Sequence, residues 1–287
     1  MRTVVSAAAA ILGMLLAAAA VPAIWLDRAI VREDGFVALA GPLGNDPAFQ
    51  ERLAAAAVGT IDTSAVPGFL ADLVQPVLED AAASLTGLPE YRQAWEDTLR
   101  KSHRLSLAAE GEAEAEGASA SSLTLDVSPL VALGAGEISR ATGLPLDPPA
   151  RTLLNAGGPE QKEWAERLAA YAPAGYLLAA GSAVALLLAV VAARRRWTLL
   201  AGVGLGALLA AGCWTAAGRI GRDRALGTDA GSEVANMFRD EFVAAASRDF
   251  QPWTLAAAVA GAVALAAGLL GRSAARKRER ATGSMEK

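Results

Sequence analysis

Four long stretches of this chain carry no charged side chain: residues 3–26, 171–193, 197–218 and 250–271, of 24, 23, 22 and 22 residues. Each is long enough to cross a bilayer, because about 20 helical residues cover the hydrocarbon core at 1.5 Å per residue. Lipid offers no partner to backbone N–H and C=O groups, so such segments must close their hydrogen bonds internally, as helices. The fold class that follows is an all-α membrane protein with four transmembrane helices. What lies between the spans must fold outside the lipid.

The first stretch has a rival reading as a cleaved signal peptide. Arg2 precedes it, and the small residues between 18 and 23 offer cleavage sites. Signal cores run to about 7–15 apolar residues. A retained helix is therefore the expectation.

Charge sets the orientation, since cytoplasmic loops are enriched in Lys and Arg. Arg2, the turn Arg194, Arg195 and Arg196, and the basic tail 272–287 together carry 10 basic and 2 acidic residues. Residues 27–170 carry 11 basic and 22 acidic residues, and residues 219–249 carry 5 and 6. Both termini and the Arg turn are thus expected in the cytoplasm of a multi-pass cell-membrane protein, with 27–170 and 219–249 outside. Trp25, Trp214 and Trp253 near the outer ends, and Trp197 near an inner end, fit the aromatic belts at membrane interfaces. The domain plan reads: helix 1 over 1–26, an outer helical domain over 27–170, helix 2 over 171–193, the Arg turn 194–196, helix 3 over 197–218, an outer helical loop over 219–249, helix 4 over 250–271, and the tail.

Composition removes several classes of chemistry. Hydrophobic residues make up 53% and charged residues 20%, which is not the balance of a disordered chain. Arg outnumbers Lys 22 to 4 and Ala reaches 69, a bias that points to a GC-rich bacterial genome. One Cys and one His leave no intrachain disulfide, no cysteine-based zinc site and no multi-His metal centre. There is no Gly-rich phosphate loop and no nucleophile elbow. No metal and no cofactor are expected. The spans hold no charged residue, which argues against an ion pump or a proton-coupled transporter but leaves lipid handling open. The tail's basic residues can attract anionic lipid, yet orientation alone explains them, and nothing else suggests nucleic acid.

The outer domain reads as mainly helical, with at most a short β-hairpin. Gly44-Asn45-Asp46-Pro47 predicts a stop, a cap and a Pro at the first helical position, with a helix over 47–60. Pro67 opens a second candidate, with Phe69, Leu70, Leu73 and Leu78 as apolar positions and Pro76 as a kink. Tyr91, Trp95, Leu99 and His103 recur every four residues and predict one buried stripe. On the same helix Arg92 with Glu96, Asp97 with Lys101, and Glu96 with Arg100 stand at pairing distance. Residues 111–122 read as a mobile loop, 123–127 as a short strand, and Ser128-Pro129 as the cap of a helix that Gly143 ends. A helix from about 157–160 runs toward the second span, bent at Pro173. In the outer loop a helix over 230–247, capped by Asp229 or Ser232, places Val234, Phe238 and Phe242 on one face with Met237 beside them. That face is expected to pack on the larger outer domain or lie on the membrane surface.

Three pieces, residues 36–50 (FVALAGPLGNDPAFQ), 95–103 (WEDTLRKSH) and 123–129 (LTLDVSP), together with the span ahead of them, resemble a family of small multi-span membrane proteins from actinobacteria. The resemblance covers most of residues 1–220. It implies four membrane helices with a helical extracytoplasmic domain, and it implies no enzymatic activity. The chain departs from that pattern at Arg32-Glu33-Asp34-Gly35, where such proteins tend to have an Asp-Thr-Asp run, and it lacks their Asn-Arg pair before the His.

Candidate binding residues are few. His103 is the lone imidazole; it is either a proton acceptor or a packed core residue beside Trp95 and Leu99. Asp46 and Asp126, with Asp34, either line a shared pocket or cap turns and helices. Glu110, Glu112, Glu114 and Glu116 read as a solvated tip more readily than as a calcium loop. Gly202 and Gly206 in the third span, and Ala257 with Gly261 and Ala264 with Gly268 in the fourth, are small-residue steps for helix packing. Cys213 is expected as an inert buried thiol. The functional expectation is a non-enzymatic envelope protein whose outer domain binds a partner protein or envelope component. The alternative is a ligand-sensing or lipid-handling protein with a pocket between the outer domain and the 230–247 helix. A hydrolase using His103 and an acidic partner ranks last.

Overall fold

The computed structural model describes residues 2–59, 84, 87–107, 123–143, 147–157, 159–230 and 233–283. The second helix candidate near Pro67, the loop 111–122 and its glutamates, and Ser232 lie outside them. The helices are α1 (Arg2–Leu26), α2 (Glu33–Ala40), α3 (Pro47–Gly59), α4 (Tyr91–Leu107), α5 (Ser128–Thr142), α6 (Pro159–Tyr171), α7 (Ala174–Ala192), α8 (Arg196–Leu226) and α9 (Glu233–Gly283). The strands β1 (Leu123–Asp126) and β2 (Leu153–Gly157) pair antiparallel. Four helical segments among the described residues, within 3–31, 174–192, 196–226 and 235–275, are long and apolar enough to cross a membrane. The protein is an all-α membrane protein in its architecture, with one short strand pair. Its chain divides into two units: Met1–Asp27, Ala170–Arg222 and Ser247–Lys287 form the first, and Arg28–Ala169 and Asp223–Ala246 form the second.

The first unit is built on antiparallel helix pairs. α1 lies against α7, where Ser6 Oγ donates to the carbonyl of Ala189 at 2.8 Å and Ser182 Oγ to that of Gly13 at 2.8 Å. Buried hydroxyls in apolar surroundings need such partners, and backbone carbonyls supply them. α8 lies against α9 through glycines: a Cβ on Gly204 would strike the backbone of Leu265 and Gly261, and one on Gly268 would strike Ala201. The third-span position that makes this contact is thus Gly204. Gly206 faces Met14 of α1 instead, and Gly202 has open space around it. Two of the tryptophans tie helices together. Trp214 Nε1 donates to the carbonyl of Ala18 at 2.8 Å, and Trp25 Nε1 to Asp249 Oδ2 at 2.7 Å. Both rings meet Phe250 edge-on, at 5.9 and 5.1 Å. At the other end, Trp197 lies against Gly271. Of the four tryptophans in this unit, Trp197 and Trp253 are the more exposed, at 48% and 39%.

Several element ends differ from the sequence reading. α8 continues two turns beyond 218, to Leu226, because Arg219, Arg222, Arg224 and Ala225 are good helix formers that carry the helix through Gly221, and Gly227 follows its end. The helix predicted over 230–247 does not end there: α9 runs unbroken to Gly283, with Pro252 inside it. Its start is closed by Asn236, whose side chain accepts from the Ala230 N–H at 2.8 Å and donates to Asp229 at 2.7 Å. Pro173 separates α6 from α7 as two helices. Gly143 ends α5 in the left-handed conformation (φ 70°), as its type suggests.

Candidate functional site

The second unit is organised around α4. Its predicted stripe is buried: Tyr91 is 5%, Trp95 1%, Leu99 0% and His103 9% exposed. α2 brings Phe36 to His103 (5.0 Å between ring centres), and α3 brings Phe49 edge-on to Trp95 (5.3 Å). α9 then adds Phe238, 6.3 Å from Trp95 and 6.4 Å from Phe49, and Phe242, 5.5 Å from Phe36. Phe238 and Phe242 stack on each other at 5.7 Å. The apolar face carried by Phe238 and Phe242 therefore packs on the segments from residues 28–169, one of the two placements expected for it.

Each candidate binding residue has a structural task in this unit. Trp95 Nε1 lies 3.3 Å from the carbonyl of Ala40 and 3.2 Å from that of Gly41, at the turn from α2 into Gly41–Asn45. A Cβ on Gly44 would collide with the Trp95 ring, so glycine is what lets the turn close over it. His103 Nε2 is 2.9 Å from the carbonyl of Ile30. A carbonyl only accepts, so this nitrogen carries the proton. Asp46 Oδ1 accepts from the Phe49 N–H at 3.0 Å, the geometry of a helix N-cap, and Gln50 reaches back to the carbonyl of Gly44. Asp126 Oδ1 accepts from the Ser128 N–H at 2.9 Å, so Asp126, not Ser128, stops the strand and opens α5. The four residues are thus brought into one unit, each held by partners of its own.

A contact invisible to pattern reading joins α4 to β1. Ser102 Oγ accepts from the Asp126 N–H at 2.9 Å and donates to the carbonyl of Thr98 at 2.6 Å. Ser106 Oγ lies 3.3 Å from both the N–H and the carbonyl of Thr124. Four residues on a helix and two on a strand both advance about 6 Å, so serines one turn apart can serve alternate strand residues. β1 thereby has one edge on a helix and the other on β2, and the Val127 N–H extends that pairing to Thr152 at 2.8 Å. β2 is not joined to β1 by a tight turn, because α5 lies between them.

Charge gathers around Arg100, which reaches Asp97 at 3.2 Å, Glu96 at 3.3 Å and Glu33 of α2 at 4.0 Å. Lys101 bonds Ser128 Oγ at 3.2 Å rather than its predicted partner Asp97. Two open polar hollows flank this cluster: about 370 Å³ beside Asp34, Asn45 and Arg92, and about 470 Å³ beside Lys101, Arg104 and Pro148. On α6, Trp164 is 56% exposed and Leu168, one turn on, 44%. Cys213 of α8, expected as a buried thiol, is not covered by other protein atoms and borders open space beside the helix. Compared with known proteins, the chain matches no family model, no curated protein and no solved structure.

Proposed function

We propose that this is a non-enzymatic, multi-pass protein of a bacterial cell membrane, both termini cytoplasmic, whose outer domain docks a partner protein of the envelope. The observation that carries the reading is the exposed Trp164–Leu168 face of α6. Trp164 and Leu168 are the most exposed large apolar side chains among the described residues of the second unit. A Trp that stays in water forgoes 150 Å² or more of burial, and such side chains are typical anchors at the centre of protein interfaces. The structural employment of His103, Asp46 and Asp126 supports the non-enzymatic part, because a general base needs freedom to exchange a proton with a substrate. The Lys and Arg distribution supports the orientation, and the motifs of residues 36–50, 95–103 and 123–129 support kinship with the actinobacterial group.

The test is photo-crosslinking from position 164 in intact cells. One discrete protein product, lost in Leu168→Ala, is the expected result. Crosslinks to lipid alone, or none, would overturn the docking reading. An alkaline phosphatase fused after residue 287 should stay inactive; an active fusion would reverse the proposed orientation.

A further inference from the structure

Between α1 and α8, within the first unit, lies a groove of about 860 Å³. Ile11, Met14 and Leu15 form one wall and Leu199, Leu205 and Leu209 the other. At one end stand Arg194, Arg195 and Arg272, with the hydroxyl residues Thr3 and Thr198 beside them. At the other end is Cys213. From Thr198 to Cys213 the α8 backbone rises about 22 Å, more than one leaflet of hydrocarbon. No ion pair among the described residues engages any of the three arginines. We propose that this groove binds one bilayer phospholipid with an anionic headgroup, its acyl chains along the apolar walls and its phosphate on the arginines.

Charge complementarity selects the occupant. An uncharged lipid would fill the apolar walls equally well but leave three guanidiniums without a counterion. A guanidinium presents parallel N–H donors that match phosphate oxygens in pairs. The positive-inside rule requires basic residues on this side of the membrane, but it does not require that Arg194 and Arg195, from the turn, and Arg272, from α9, converge on the mouth of one groove. A soluble anion is a poorer match, because it leaves the long apolar walls unused. The inference is independent of the outer-domain reading and stands or falls in the first unit alone.

The geometry supplies the control variants. Gly202 lines the groove and has nothing within 4 Å of a built Cβ, so Gly202→Leu starts into the groove with no clash at its first carbon. Gly212 has equally open space but is not part of the lining. The full chain in mild detergent is titrated with phosphatidylglycerol or phosphatidylcholine of the same acyl chains and read by native mass spectrometry. One phosphatidylglycerol per chain is expected, retained on the order of 100-fold better than phosphatidylcholine, given about 1 kcal/mol for each of the three arginines. Gly202→Leu should lose it and Gly212→Leu keep it. Arg194→Gln with Arg195→Gln and Arg272→Gln should erase the preference between the two lipids. Equal retention of both lipids by the wild type would overturn the anionic assignment. Retention unchanged in Gly202→Leu would show lipid bound elsewhere on the bundle and overturn the groove. A preference that survives the triple variant would move the site to the tail. If Gly202→Leu does not fold, alkylation of Cys213 provides the reading. Phosphatidylglycerol must slow it more than phosphatidylcholine does, and equal rates would overturn the proposal.

Discussion

Tyr91 begins the buried stripe of α4, and its hydroxyl has no hydrogen-bond partner among the described residues. Burial pushes its phenol from 10.0 up to about 12. An unfolded tyrosine ionises near pH 10, so this group's contribution to stability is whole below pH 10 and is lost as pH climbs from 10 to 12. Tyr91→Phe should flatten that loss in denaturant titrations at successive pH values and cost nothing at pH 8, since no bond is broken. An unchanged pH profile would refute this account. Ser102 is the opposite case. Ser102→Ala strips the partner from the Asp126 N–H and should cost about 1–3 kcal/mol in the same assay. A neutral result would mean the strand finds another partner.

At the scale of elements, the turn between α2 and α3 and the contact between α8 and α9 rest on different physics. Asp46 caps α3 by accepting one of the N–H groups that the first helical turn leaves open. Asp46→Ala should cost about 1 kcal/mol, whereas Asp46→Asn should keep most of the cap. Gly204 works by having no side chain: α8 and α9 approach so closely that Gly204→Leu must force them apart. We expect that variant to lower the detergent-solubilised melting temperature, while Gly202→Leu, one half-turn away over open space, leaves it nearly unchanged. Equal losses in both would show that bulk anywhere on α8 is harmful. The Gly204 contact would then lose its special place.

At the scale of the whole molecule, the second unit is assembled from segments far apart in the chain. Phe238 and Phe242 close an aromatic core whose other members, Phe36, Phe49, Trp95 and His103, precede them by more than a hundred residues. Phe238→Ala should therefore unfold or soften a domain encoded mostly by residues 28–169. The cost should be about 2–3 kcal/mol, at the low end for a large ring because Phe238 is only half-buried. Hydrogen exchange at α4 amides reports it directly. Protection at Trp95 to His103 unchanged by the substitution would separate the two segments. By the same logic, a fragment of residues 28–169 made alone should aggregate, with Trp95 and Phe49 partly uncovered.

Much of this was legible from residue order because local forces decide it. Uncharged runs of 22 to 24 residues have few structural options in lipid. A four-residue stripe on α4 must face a core, and Asp46-Pro47 and Gly143 mark ends through backbone chemistry that needs no neighbours. The helix ends that differed, beyond 218 and across Ser247, were placed at the edge of an uncharged run, and a change in polarity does not by itself end a helix. Which glycine meets which helix was not legible: Gly202, Gly204 and Gly206 differ only in azimuth, and packing alone assigned Gly204 to α9, Gly206 to α1 and Gly202 to open space. Nor could the sequence show that serines at 102 and 106 would serve a strand some twenty residues on, or that three arginines would meet at one groove. Sequence by itself determined the number of spans, the helical class and the buried stripe, because each depends on solvent preference along a single segment. Tertiary structure alone decided what each candidate residue touches, because that depends on distances between segments that share no sequence neighbourhood.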